Sequence, residues 1–526
     1  MIARVSPSRL ETGRFRDWTG TAIAGAVAGV LALIAIAAGW RGSDLPAQIF
    51  RVELFRREGF VFWDSQWFSG HPTLNYSVLS PMLGALTGAI ALGAVSGVIS
   101  AALFDRLLRH EFGVAAAVGS LWFAISTATN LVVGRVTFAL GVTFALAALL
   151  ALQRRHVNIA VVCALLCGLA SPVAGLFLAI ATGAFGLAQK NMRVAAWITC
   201  AMAMAPVLVI AMAFPGSGTQ PYEWWALGAD LAVCALCLLV VPARFRALRY
   251  AAVIYALVLI VTKLTENPLG GNVSRLNQYA AGPILACVLW EKKRALIVLL
   301  AIPLLYWQWF PTVDTIAFAG SDPSTHRAYY QPLLGYLDTQ QLGFGRVEIP
   351  VTYRHWEAAV VAPEVALARG WERQLDYAYD DQFYDKTLTA KTYRAWLAAN
   401  GVAYVALPDA RLDSSSTIEA AIIEGGQSYL QPVWHNAHWR VWRFTDYHGL
   451  VDGGARLEKL NSDGFVLKVS EPGPVTVHIH DSPHWAVSDG AGCTVAEPDG
   501  WIHIRDLQPG TATITQALRG TRCDTT

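Results

Sequence analysis

The sequence predicts a polytopic α-helical membrane protein of about eleven spans, followed by a globular half that mixes α/β and β-sandwich character. Three observations predict it. The 526 residues are 54% hydrophobic and only 15% charged, where soluble domains carry about a quarter charged residues. Residues 20–310 form a series of apolar stretches joined by short polar links, whereas 311–526 read as ordinary globular sequence rich in Trp, Tyr and acids. The basic residues between the apolar stretches fall in alternate links, as the positive-inside rule requires. A net charge of +2 with no basic tract gives no support to a nucleic-acid partner.

The apolar run from Thr21 to Trp40 follows Arg4, Arg9, Arg14 and Arg16. It is long enough to span and lacks a small-residue cleavage site, so it reads as a retained span. Further spans fall at 81–104, 112–130, 134–153, 157–171, 172–188, 194–213, 223–241, 249–264, 276–290 and 295–310. Arg106 and Arg109, Arg154 and Arg155, Lys190 and Arg193, Arg244–Arg249 and Lys292–Arg294 then share the cytoplasmic side with the N-terminus. The stretch 157–188 either crosses twice, turning at Ser171-Pro172, or forms a re-entrant hairpin; both keep the order. The loop 41–80, the Asn130–Arg135 turn, the Lys263–Gln278 link and the C-terminal half are left on the outer face.

The outer loops hold the candidate chemistry. Asp44 lies just beyond the first span and before Leu45, Ile49, Val52 and Phe55, whose helical spacing predicts a helix lying in the membrane interface. Asp44 suits the cap of that helix and equally suits a general base acting on an acceptor hydroxyl. Asp64 is a second candidate carboxylate, or a turn aspartate. Trp63, Trp67, His71 and Tyr76 form an aromatic-rich run of the kind that stacks on sugar rings, and also of the kind that collects at interfaces. Arg135, Lys263 and Arg275 are cations at outer span ends, able to hold a lipid phosphate, with snorkelling to headgroups as the alternative. Gly270 and Gly271 before Arg275 would let backbone approach a ligand closely. No Walker loop, His-Glu-x-x-His or dinucleotide glycine motif is present, so an activated donor is expected from the membrane and not from a soluble nucleotide.

In the globular half, strands are expected at 345–351, 402–408, Val433–His435 and 439–444, and helices at Tyr393–Asn400 and Thr417–Glu424. The runs 353–357 and 368–376 are dense in charge and aromatics, as a surface or as part of a site. Alternation with frequent turns over 455–520 predicts a small β-sandwich, a frame that often binds carbohydrate. The expected domains are therefore 1–310, 311–450 and 451–526. Of eight cysteines, Cys163, Cys167, Cys200, Cys234, Cys237 and Cys287 lie in apolar stretches, while Cys493 and Cys523 are expected to pair in an oxidising compartment. His478, His480 and His484 lack a second ligand cluster for a metal.

With Asp44 after the first span, a short helix behind it, many spans and an outer C-terminal half, the chain resembles the GT-C superfamily of membrane glycosyltransferases. Its Ala/Gly/Arg-rich composition and the run Arg369-Gly-Trp-Glu-Arg-Gln374 are similar to actinobacterial arabinosyl- and mannosyltransferase members. The resemblance implies a multi-pass enzyme of the bacterial plasma membrane with its C-terminal domain outside. It implies inverting transfer of a sugar from a polyprenyl-phosphate donor to an envelope glycan or glycolipid, with Asp44 as base. Many members carry a second acid next to that base, where this chain has Leu45, so use of a divalent cation stays open. The competing classes are a non-catalytic scaffold or carbohydrate-binding protein of envelope assembly, and a transporter, which the lack of an internal repeat disfavours.

Overall fold

The computed structural model describes residues 7–523 apart from 216–217, 292 and 341, with side chains described from residue 18 onward. Arg4 and Lys292 of the charge pattern lie outside the described residues. The chain forms two compact units, residues 1–48 with 75–320, and residues 49–74 with 321–526. The longer segment of the first unit ends at Gly320, and the stretch 49–74 belongs to the second unit.

The first unit is helical. Among the described residues, six helical runs are long and apolar enough to cross a membrane: Trp18–Ala37, Ala89–Val133, Val136–Gln153, Lys190–Ala213, Arg246–Leu264 and Arg294–Phe318. A polytopic membrane protein is the architecture these runs support. The run Ala89–Val133 holds two helices, Ala89–Phe112 and Ala116–Val133, separated at Gly113 with φ +55°. Three other apolar helices, Val157–Ala170, Pro172–Ala188 and Trp224–Val240, have 14, 17 and 17 residues. At about 1.5 Å per residue, these reach about 21–26 Å, short of a hydrocarbon layer of about 30 Å. Gly282–Leu289 is shorter still, at 8 residues. Counting apolar stretches in sequence therefore exceeds the number of helices that satisfy the length requirement. Small residues let the helices approach: Ala160, Ala164, Ala196 and Ala203 are all fully buried. Ser171, between the two short helices, accepts a hydrogen bond on its hydroxyl from the Ala174 N–H, which caps the second of them.

The second unit is rich in strands. Arg346–Glu348, Val402–Pro408, Trp439–Phe444 and Leu430–His435 form one mixed sheet in that order, the first pair parallel and the others antiparallel. Ala390–Ala399 enters it through a Thr389 capping box, and its Tyr393, Trp396 and Leu397 are buried with strand residues Val402, Val405 and Leu407. The C-terminal part consists of two four-stranded antiparallel sheets. One holds Val451–Gly453, Gly473–His480, Trp501–Leu507 and Cys493–Ala496; the other holds Ala455–Asn461, Gly464–Val469, Gly510–Gln516 and Trp485–Asp489. Alternate residues of both, among them Leu467, Val469, Val475, Val477, Ile504 and Ile514, fill a common core. Cys493 and Cys523 are disulfide-bonded, with Cα atoms 5.0 Å apart.

The charge-dense runs at 353–357 and 368–376 are largely interior. Arg369 is fully buried and binds Asp376 with two hydrogen bonds of 3.1 and 3.0 Å, with Glu419 at 3.4 Å. Arg373 reaches Asp413 at 3.0 Å, and His355 stacks on Trp371. Ion pairs so placed tie segments together because leaving any member unpaired would cost several kcal/mol, about 3–5 for a buried pair broken on one side.

Trp485 is fully buried in the sandwich core and donates its indole N–H to the His480 carbonyl at 3.1 Å. Trp485→Ala is expected to destabilise the second unit by about 3–5 kcal/mol, measured as an earlier denaturant midpoint in the near-ultraviolet circular dichroism of the full chain.

Candidate functional site

The outer loop predicted as one site is divided between the two units. Asp44 and Tyr76 belong to the first, and Asp64, Trp63, Trp67 and His71 to the second.

In the first unit, the helix Ala116–Val133 ends at Gly134, which takes a left-handed conformation with φ +96°. Arg135 follows and leads into the helix Val136–Gln153. Two carbonyls of the helix end receive donors from the incoming chain: the Gly42 N–H bonds Val132 at 2.9 Å, and the Asp44 N–H bonds Val133 at 3.0 Å. Both contacts need glycine. A Cβ on Gly42 would lie 2.5 Å from the Val132 oxygen, and one on Gly134 would lie 2.2 Å from the Leu45 nitrogen. The consequence is that Asp44 sits beside Arg135, with Oδ2 3.4 Å from Nε.

Arg275 comes from the link between Arg246–Leu264 and Gly282–Leu289, and places Nη2 3.8 Å from the same Asp44 oxygen. Its guanidinium lies over the Phe138 ring, 5.6 Å from the centroid. Burial chiefly, then the neighbouring Arg135 charge, pushes the Arg275 guanidinium below its ordinary value to about 10, against the opposing pull of Asp44 and Tyr76. It stays charged at neutral pH. Arg135 Nε is buried and makes no hydrogen bond among the described residues. Side-chain exposures of 24% for Asp44, 19% for Arg135 and 13% for Arg275 leave the group open to a ligand while keeping most water away. One carboxylate against two guanidiniums leaves positive charge in excess, which suits an anion.

The same charge balance opposes a divalent cation. Among the described residues no group of three or more His, Cys, Asp or Glu is arranged to hold a metal ion. Lys263 is used elsewhere: its ammonium donates to the Tyr222 carbonyl and lies 4.5 Å from the Trp224 ring centroid.

Trp63, Asp64, Trp67 and His71 are interior to the second unit, which corrects their expected role as a ligand-facing surface. Trp63 is 2% exposed and joins the sandwich core, edge-on to Trp485 at 5.4 Å. Trp67 is fully buried and stacks on Phe50 at 3.9 Å. The helix Leu45–Glu58 likewise lacks the single apolar face expected of it, since Arg51 is buried on a Glu372 ion pair beside buried Phe50, Val52 and Leu54. Asp64 and His71 are both buried, 3.8 Å apart, and the Asp64 carboxylate accepts the Gln66 N–H at 3.2 Å, as a turn aspartate does.

Residues that the sequence reading passed over lie around the Arg275 link. Asp230, fully buried in the helix Trp224–Val240, accepts hydrogen bonds from Tyr222 at 2.7 Å and Asn277 at 2.9 Å, and also from Ser274. The available signal was a single carboxylate inside an apolar run, Leu227-Gly-Ala-Asp230-Leu-Ala-Val.

Gly134→Ala is expected to cost about 1–3 kcal/mol through strain at a positive φ and the clash with Leu45, visible as a lowered melting temperature; an unchanged one would mean the contact is not tight. Asp64 and His71 give a pH signature. Burial above all raises the Asp64 carboxyl from 3.8 to about 7 and lowers the His71 imidazole from 6.5 to about 3. Folded Asp64 keeps a proton that the unfolded chain has released, so its contribution is full below pH 3.8 and is lost as pH rises through about 7. His71 has the opposite slope, gaining between about pH 3 and pH 6.5. Asp64→Asn removes only the first slope. Its melting temperature should exceed that of the wild type by a margin that widens from about pH 4 to pH 7, and a margin independent of pH would count against this account. No family model matches the chain and no curated protein matches it, so the chemistry of the site is argued from its own residues.

Proposed function

We propose that the protein is an integral membrane glycosyltransferase that moves a sugar from a polyprenyl-phosphate donor to a hydroxyl of an envelope glycan or glycolipid. The observation that carries this reading is one Asp44 oxygen facing the guanidiniums of both Arg135 and Arg275. A general base and an anion site within one group are what such a transfer requires. The phosphate of the donor has the charge and geometry to take the two guanidiniums by bidentate hydrogen bonds from Arg, including the Arg135 Nε that faces Asp44 without a hydrogen bond. It competes with Asp44 for them, so donor binding releases the carboxylate as the acceptor arrives.

The acceptor oxygen then attacks the anomeric carbon. A new C–O bond forms on the face opposite the leaving group, and the bond from that carbon to the phosphate oxygen breaks with its electron pair going to the phosphate. Asp44 takes the acceptor proton, and Arg275 and Arg135 stabilise the charge that grows on the phosphate. The configuration at carbon inverts. No step runs through a metal ion.

In this reading the chain has about eleven passes, with the N-terminus in the cytoplasm and the second unit outside. The short helices 157–170, 172–188 and 224–240, with the helical stretch 277–289, complete the passes within the helical layer.

The test compares wild type and Asp44→Asn in lipid, each supplied with a panel of polyprenyl-phosphate sugars and an oligosaccharide acceptor. Transfer by wild type, a loss of about 10²–10⁴-fold in the variant, and donor binding at least as tight once the competing charge is gone are expected. Equal turnover by both would remove Asp44 as base. Donor binding without turnover by wild type would make the protein a non-catalytic carrier or scaffold.

A further inference from the structure

We propose that Asp230 is a positioning residue, whose buried carboxylate fixes Arg275 for a lipid-linked phosphate by holding Ser274 and Asn277 on either side of it. The inference rests on the reading of Arg135 and Arg275 as the phosphate site, and extends that site to a residue on a different helix.

The link that carries Arg275 is long and contains glycines, and a long guanidinium side chain on it would lose much of its freedom on binding an anion. Its anchoring is unequal along its length. At the start, the Asn267 side-chain oxygen accepts the N–H groups of Leu269 and Gly270, both at 3.0 Å, and the Gly271 N–H bonds the Pro221 carbonyl at 3.0 Å. The Tyr255 hydroxyl donates to the Val273 carbonyl at 2.6 Å. Around Arg275 itself, the ties converge on Asp230. Asn277 donates both to its carboxylate at 2.9 Å and to its backbone carbonyl at 3.0 Å, the Ser274 hydroxyl donates to the carboxylate, and Tyr222 completes the set at 2.7 Å. The chain then passes into a π-helical turn at Asn277–Ala281, whose Gln278 carbonyl accepts from the Gln308 side chain at 2.6 Å. Irregular turns of this kind recur at functional sites.

Two features argue that this is more than a loop tether. A carboxylate buried in an apolar helical layer is costly, and a neutral side chain could tie one segment to another at lower cost. A carboxylate, however, accepts three or more donors at once and can pin residues 274 and 277 together, with Arg275 between them. Its oxygens are occupied by Tyr222, Ser274 and Asn277, so Arg275 keeps its own guanidinium free of Asp230 and directed to Asp44. Asp230 acts through geometry and leaves the positive charge of the site intact.

The experiment is a double-mutant cycle on the full chain in nanodiscs, measuring Kd for undecaprenyl phosphate with inorganic phosphate as competitor. Arg275→Ala and Asp230→Asn are each expected to raise Kd roughly 10-fold, and the double variant to be no worse than Arg275→Ala alone, because the second change acts only through the first. With turnover assayed in parallel, Asp230→Asn should raise the donor KM by a similar factor and leave kcat within about 3-fold. Losses that multiply in the double variant, or an Asp230→Asn protein that binds as wild type does, would overturn the proposal. Should Asp230→Asn fail to fold, Ser274→Ala and Asn277→Ala carry the same test: each weakens binding in the wild-type background and is silent with Arg275→Ala, and silence in both backgrounds overturns it. Wild type that binds lipid phosphate without transferring sugar overturns the transferase reading and leaves the role of Asp230 standing. Wild type that binds neither lipid phosphate nor inorganic phosphate overturns both.

Discussion

The contact on which the first unit's site depends is a backbone one. A helix ending inside a protein leaves carbonyls that must find donors, and the end of Ala116–Val133 finds two of them in the N–H groups of Gly42 and Asp44. Because those donors come from the chain just beyond the first apolar run, satisfying the helix end and delivering Asp44 to Arg135 are the same event. The two glycines at the contact remove the Cβ atoms that would hold the backbones apart. A carboxylate in such a position has a geometry set by hydrogen bonds of the main chain, which is more restrictive than a side chain on a free loop.

The site that results is cationic overall although it is built around an acid. Two guanidiniums, one over an aromatic ring and one whose Nε makes no hydrogen bond among the described residues, face a single carboxylate oxygen. In the proposed transfer, an anion would replace a contact that the resting protein already makes, which would keep the charge of the arginines compensated.

The second unit uses charge differently. Arg369 is enclosed and paired with both Asp376 and Glu419, which joins a loop to two helices. The segment 49–74 is part of that interior: the Leu367 N–H bonds the Gln66 carbonyl at 2.9 Å, the Ser69 hydroxyl bonds Asn400 at 2.7 Å, and Trp67 fits against Gly370, where a Cβ would come within 2.4 Å of its ring. Aromatic residues that look like a binding surface in sequence are here large apolar side chains completing a core, for which the driving force is burial of area.

Composition and periodicity by themselves determined the class of the fold. Apolar runs far in excess of what a soluble domain needs gave helices, and alternating runs after residue 450 gave two sheets, because these periods are properties of the local chain. Asp44, Arg135 and Arg275 were also legible one at a time, as charged residues placed where apolar runs end, a position that is costly without a purpose. Tertiary structure decided the rest. Whether a stretch of apolar sequence makes a helix long enough to span depends on where Pro, Gly and packing break it, and so the helices that meet the length requirement are fewer than the stretches. Asp44 and Asp64 are both acids of the 41–80 loop, and only the folding of 49–74 into the second unit buries one while 42–45 docks the other beside two arginines. The convergence of Ser274 and Asn277 on Asp230 joins residues more than forty positions apart, a relation that hydrogen bonding in three dimensions creates and that no spacing along the chain encodes.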